Sequence, residues 1–278
     1  MTLLLYLSNI LFTSGQSAVG KQFAQKGGSS LSFNLNKSLI GTVMFLVFGW
    51  IAGFSFHFPT VLFGLGYGLS LCCAMHVGFK ALAMGPMALT SIIGSFSLII
   101  PFFFGILFWN EAFTVFKAIG IVLLLMSILL INGKKESGFS FAWLAYALLT
   151  LVANGICSVV QKLHQLRFPA LYRTEFMFWA LLCALIVWSV VALQQKGNQP
   201  PAKLSLLGLT AGFMNCSANY ILLYLSATEN ASVLFPIVSI ASIIAVWLMG
   251  IVFFKERLKP SQALGLILGV ASVVLLKQ

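Results

Sequence analysis

The chain has 278 residues, 60% of them hydrophobic and 8% charged, with a mean hydropathy of +1.03. A soluble fold of this length has too little interior to hide that much apolar surface, so the composition excludes a soluble domain and makes the bilayer the solvent. The formal charge is +11, from 16 Lys and Arg against five Glu and no Asp. The basic residues are scattered through short connections rather than gathered in a patch. That argues against a nucleic-acid surface and assigns the charge to topology and lipid headgroups.

In chain order, apolar runs occupy about 2–20, 37–55, 60–82, 87–108 and 114–132, then about 140–161, 172–193, 203–225, 231–253 and 260–277. Most reach the roughly 20 residues that a hydrocarbon core demands. The breaks carry Gly27-Gly28, Phe58-Pro59, Gly85-Pro86, Gly133-Lys134-Lys135-Glu136, Pro200-Pro201 and Lys259-Pro260, residues that end helices or turn the chain. The first run has the apolar core of a signal peptide. No basic residue precedes it, however, and its Asn9 and Gln16 recur in the sixth run as Asn154 and Gln161. It is expected to be the first spanning helix rather than a cleaved leader.

That recurrence is general. Displaced by 145 residues, Asn9 meets Asn154, Gln16 meets Gln161, Gly105 meets Gly250, Glu111 meets Glu256, Gly120 meets Gly265 and Ser127 meets Ser272. Five spans per copy is an odd number, so the second copy enters the membrane in the opposite sense to the first. The expected fold is an all-α polytopic membrane protein: ten transmembrane helices as two inverted five-helix repeats, residues 1–135 and 136–278, around a central cavity. Simple alternation places Lys117, Lys162, Arg167, Arg173 and Lys277 on one side. Lys21, Lys26, Lys37, Lys80, Lys134, Lys135, Lys196, Lys203, Lys255, Arg257 and Lys259 fall on the other, which puts both termini outside under the positive-inside rule.

Polar groups within spans are costly unless paired or bathed in cavity water, and so mark a binding site. In the first run Asn9 and Gln16 lie two turns apart on one face, and Asn154 and Gln161 repeat the arrangement. They line a cavity or bond helices together. The eighth run carries Asn215 and Asn219 on one face and Tyr220 and Tyr224 on another, each pair at i,i+4 spacing. Aromatic hydroxyls there suit an amphipathic or cationic ligand. In the third run Cys72, His76 and Lys80 follow one another at four-residue steps, with His76 a group for substrate contact or proton coupling. Lys80 is expected to snorkel to the interface.

Glu111 and Glu256 stand at helix junctions, where a carboxylate complements the N-terminus of the following helix. Glu175 is beside Arg173 and is expected to pair with it. The five cysteines, Cys72, Cys73, Cys157, Cys183 and Cys216, all fall inside apolar runs without metal-ligand spacing and read as small packing residues, as do Gly64, Gly66 and Gly68.

Two stretches carry a family pattern. Ala81-Leu-Ala-Met-Gly-Pro-Met-Ala-Leu-Thr90 is followed by Phe104-Gly-Ile-Leu-Phe-Trp-Asn-Glu111 and Gly120. Ser226-Ala-Thr-Glu-Asn-Ala-Ser-Val-Leu-Phe235 is followed by Phe253-Phe-Lys-Glu-Arg-Leu-Lys-Pro260 and Gly265. Together they resemble the duplicated motif of the drug/metabolite transporter superfamily, EamA type, and the resemblance spans essentially the whole chain. The second copy is the closer, since Trp109-Asn110 precedes Glu111 in the first and Ala112 replaces the basic residue. The resemblance implies ten helices around a central cavity and transport of small organic solutes. The superfamily's small exporters use an acid in their first helix for proton coupling, and no acid stands in the first run here.

The expected function is a secondary transporter, an exporter, for a small polar or amphipathic organic metabolite or drug, working by alternating access in a prokaryotic cell membrane. Its substrate is expected to contact Asn9, Gln16, His76, Asn154, Gln161, Asn215, Asn219, Tyr220 and Tyr224. Such a neutral lining favours zwitterions, cations or uncharged solutes over anions. The partners expected are the small-molecule solute and the lipid bilayer, with no nucleic acid, in a monomer or homodimer. No cofactor or metal is expected. The alternatives are a flippase for a lipid-linked carrier and a non-transporting assembly or sensor subunit. An enzyme is not expected, because no nucleophile–base pair, metal cluster or paired acid falls at mid-span.

Overall fold

The computed structural model describes residues 2–108, 114–132, 140–168, 171–194, 205–228, 231–256 and 260–275. Glu111, Glu136, Glu229, Lys134, Lys135, Lys196, Lys203, Arg257, Lys259 and Lys277 lie outside them. The described residues form helices and contain no strand. The order is α1 (Thr2–Gln25), α2 (Ser30–Ala52), α3 (Phe58–Met84), α4 (Met87–Ser95), a 3-10 turn (Phe96–Leu98), α5 (Ile99–Phe108), α6 (Val115–Asn132), α7 (Phe141–Arg167), α8 (Arg173–Gln194), α9 (Leu206–Thr228), α10 (Ala231–Phe254) and α11 (Pro260–Leu275). Among them α2, α3, α7 and α8 are each long and apolar enough to cross a membrane. Their outward faces are apolar, with Trp50, Phe141 and Leu193 more than 80% exposed, as a lipid-facing surface requires.

Local chemistry sets several boundaries. Ser29 caps α2 by accepting from the Ser32 amide at 3.1 Å, and Ser140 does the same for α7 from the Trp143 amide at 3.1 Å. Helix α2 ends at Gly53, whose φ of +83° is the left-handed conformation that glycine adopts without strain. The expected single span over 87–108 is broken by the 3-10 turn. Pro101 supplies the reason: it has no amide to bond the carbonyl four residues back, so the turn before it tightens. The second helix also begins seven residues before its apolar run. Ser30, Asn34 and Asn36 depress the hydropathy there, but all lie on α2.

The helices pack across the two halves. The main pairings are α1 with α9 and α3 with α7; α2 with α9 and α3 with α8; α1 with α10 and α5 with α7; and α2 with α8 and α6 with α11. Exchanging the halves turns the members of each of the first three sets into one another and leaves the last two pairings unchanged. The same exchange holds at atomic detail between α6 and α11. Ser127 Oγ donates to the Gly265 carbonyl at 2.6 Å, and Ser272 Oγ donates to the Gly120 carbonyl at 2.8 Å. Both serines are fully buried.

Small residues set the approach of α3 to α8. A Cβ on Gly68 would lie 2.6 Å from the Ala180 carbonyl oxygen, and one on Gly64 would lie 2.7 Å from the Cβ of Trp179. Gly66 faces open space instead, so it has no part in this contact.

Glu256 corrects one expectation. Its carboxylate accepts from the Met87 amide, at 2.9 and 3.1 Å to the two oxygens, and so caps α4 in the other half rather than the following helix, α11. It also pairs with Lys21, which donates to the Gly85 carbonyl at 2.9 Å as well. The cluster ties the end of α1, the start of α4 and the end of α10 together. Glu175 likewise does not pair with Arg173. It accepts from the amide and hydroxyl of Ser55 at 3.2 and 3.3 Å, while Arg173 donates to Gln165 at 3.0 Å. Lys80 is held within the bundle, 3.3 Å from the Tyr146 hydroxyl and 5.1 Å from that ring's centroid.

Candidate functional site

The helices surround a partly open cavity of about 460 Å³ to which both halves contribute. From α1 it receives Thr13, Gln16 and Ser17, which share a face at i, i+3 and i+4. From α2 it takes Phe33, Asn34, Lys37 and Phe45, and from α3 a stripe from Tyr67 through Leu71, Met75 and Phe79 to Leu82. Thr90, Ser91 and Gly94 of α4 complete the first half's share. The second half brings Thr150 and Asn154 from α7, Met177 and Leu181 from α8, Asn215, Cys216 and Asn219 from α9, and Ser242, Ile243 and Val246 from α10.

Part of the polar lining is engaged. Asn34 donates to Ser30 Oγ at 3.2 Å, and Asn219 donates to the Asn215 carbonyl at 2.8 Å. Thr90 Oγ1 donates to the Pro86 carbonyl at 2.8 Å and accepts from the Trp143 indole at 3.0 Å. The side chains of Gln16, Asn154 and Asn215 and the Lys37 ammonium make no hydrogen bond to another described residue. Each amide carries both a donor and an acceptor, so these groups can receive a solute of either character. Beside them, Phe33 and Phe79 pack with their ring centroids 4.8 Å apart, and Phe23 sits behind both at 5.3 and 6.0 Å.

Of the nine residues expected to contact substrate, the structure brings Gln16, Asn154, Asn215 and Asn219 to this cavity. Asn9 is buried and donates to the Ala218 carbonyl of α9 at 2.6 Å, a bond between helices. His76 lies 3.2 Å from Ser30 Oγ and stacks on Trp188 at 5.9 Å, away from the lining. Gln161 does not line it. Tyr220, 43% exposed, packs on Phe48 with centroids 4.3 Å apart; with Tyr224 it borders a separate recess, beside Ser55, Arg173 and Glu175. The two repeated amide pairs are therefore split, with Gln16 and Asn154 in the cavity and their partners Gln161 and Asn9 outside it.

Sequence reasoning missed Asn34, Lys37, Tyr67, Thr90, Ser91 and Thr150. For Asn34 and Lys37 a signal was present: with Gly41 they follow an i, i+3, i+7 spacing, which puts them on one face and continues the second helix back from its apolar run to Asn34. Lys37 also corrects the expectation of a neutral lining.

The packed helices and their internal cavity define a multi-pass helical membrane protein with a solute-sized chamber between its halves. The chain belongs to the EamA-like transporter family, whose model matches residues 1–133 and again residues 141–277. The duplicated pattern thus marks true membership of the drug/metabolite transporter superfamily, a family of membrane transporters of small solutes. Among solved structures 28 chains match. One, a crystal structure of a protein, is 17% identical over 99% of this chain and 95% of its own, with a TM-score of 0.65. At that identity the likeness shows the fold alone. A search of curated proteins gives no match.

Proposed function

We infer that the protein is a secondary transporter, an exporter, which carries a small polar or amphipathic organic solute through the cavity by alternating access. On this reading residues 1–135 and 136–278 are inverted repeats of five spans each, with α4 and α5 together forming the fourth. The observation that carries it is the split of the amide pairs. Asn9 and Asn154 are equivalent in the repeat, yet one bonds helices and the other faces the cavity. Two halves related by an inverted twofold but differing in which member faces the chamber are what one of two alternating states requires. The helix pairings that survive exchange of the halves support the same reading.

The solute is held by Gln16, Asn154, Asn215 and Asn219, with aromatic walls from Phe33, Tyr67 and Phe79. The positive-inside bias favours outward termini in a prokaryotic cytoplasmic membrane. Lys21, Lys37 and Lys80, held inside the bundle, narrow the Lys-rich majority without reversing its sign. The test is counterflow in proteoliposomes after a thermal-shift screen of solutes. Saturable exchange that falls at least tenfold with Asn154→Ala, but not with Asn9→Ala, is expected. Exchange insensitive to both Asn154→Ala and Gln16→Ala would overturn the assignment of the cavity.

A further inference from the structure

We propose that Lys37 makes this cavity a site for a small organic monoanion, with the carboxylate of the solute seated at its ammonium; this rests on the transport reading above. The position of Lys37 is fixed by packing. Across from it on α9, a Cβ at Gly212 would stand 2.9 Å from the Lys37 Cα and 3.1 Å from its carbonyl oxygen, so the two backbones touch at this point. One turn further, a Cβ on Gly41 would meet the Cys216 sulfur at 2.9 Å. The backbone of α2 is thereby pinned to α9, and Lys37 joins Asn34 and Asn215 in the lining of the chamber.

Among the described residues no carboxylate pairs with it. The lining contains no acid, and the described glutamates are occupied elsewhere, Glu256 with Lys21 and Met87 and Glu175 with Ser55. A cation held inside a membrane bundle is strongly unfavourable unless cavity water solvates it or a partner supplies a counter-charge. The anion that completes the site is therefore the solute's own.

The charge count narrows the class. One ammonium neutralises one negative charge, so a dianion such as a phosphate monoester would carry an unpaired charge into the chamber. A zwitterion would find a partner for its carboxylate but no acid for its ammonium. A monocarboxylate with a hydroxyl or amide on its body matches the lining, since Gln16, Asn154 and Asn215 offer donors and acceptors for the neutral part. By the repeat register the counterpart of Lys37 is Leu182, so the charge belongs to one half alone.

The test uses the full chain in nanodiscs and a library of monocarboxylates, each paired with its neutral carboxamide, together with dicarboxylates, amino acids and amines. Affinities are read by thermal shift and calorimetry in the wild type and in Lys37→Gln and Lys37→Arg. The expected result is binding concentrated among monocarboxylates, weakened roughly 10- to 100-fold by Lys37→Gln and largely kept by Lys37→Arg. Neutral carboxamides, which do not need the charge, should show no such loss. Carboxylates that bind Lys37→Gln as well as wild type, or a preference for amides or amines, would overturn the assignment of Lys37 and leave the transport reading standing. No binding by any solute of any charge would take down both.

Discussion

Removing either member of the Lys21–Glu256 pair should expose how the two halves are joined. Both side chains are only 11% exposed, so the pair is mostly withdrawn from water and screening by salt is weak. Breaking a buried pair from one side costs about 3–5 kcal/mol. Lys21→Met leaves Glu256 with the Met87 amide at 2.9 Å, which offsets part of that loss, so about 2–3 kcal/mol is expected. Glu256→Met is worse, at about 3–4 kcal/mol, because it strands the Lys21 ammonium on the Gly85 carbonyl and orphans the first amide of α4. The double variant should be less destabilised than the sum of the singles by at least ~1.5 kcal/mol, the signature of direct coupling. The assay is reversible unfolding by SDS in mixed micelles, read by circular dichroism at low and high ionic strength. Additivity within about 0.5 kcal/mol, or a coupling abolished by salt, would refute the reasoning.

Three further outcomes follow from the packing. Gly68→Ala places its Cβ 2.6 Å from a backbone oxygen that cannot move aside, and should destabilise by about 1–3 kcal/mol. Gly66→Ala, which meets nothing within 4 Å, should stay within about 0.5 kcal/mol of wild type in the same unfolding assay. Ser127→Ala and Ser272→Ala each remove one of two equivalent bonds and should lower stability equally, by about 0.6–1.7 kcal/mol; a markedly unequal loss would show that the two bonds differ in environment. Asn9→Ala should lower the melting temperature while leaving solute affinity unchanged, and Asn154→Ala should do the reverse, as measured by thermal shift with and without solute.

The register of 145 residues, read from paired amides, glutamates and serines, sets Ser127 against Ser272 and Gly120 against Gly265, and each of these serines donates to the glycine carbonyl on the other's helix. Most helices were legible as well, because an apolar span in lipid must satisfy its backbone internally, and a helix does so with local bonds alone. Legibility failed where side chains departed from apolar character for reasons of tertiary contact. The start of α2 was hidden by Ser30, Asn34 and Asn36, since hydropathy scores them as a loop while the folded chain gives them a cavity or a partner. Pro101 was visible in the sequence, but the 3-10 turn it imposes needed the backbone to be seen.

The site was only half legible, and the division has one physical cause. The type of a residue tells that a buried polar group must be satisfied; it does not tell by what. Asn9 and Asn154 are chemically identical and stand at equivalent positions, so no reading of the sequence separates them. Packing gives Asn9 the Ala218 carbonyl and leaves Asn154 facing the chamber. Likewise Glu256 sits at a junction, but only the approach of α10 to α4 reveals that it caps a helix in the other half. Sequence alone determined the class of solvent, the helical state and the duplication, because these follow from composition and period. The tertiary structure decided which polar groups find protein partners and which remain for a solute, because that depends on neighbours more than a hundred residues away along the chain.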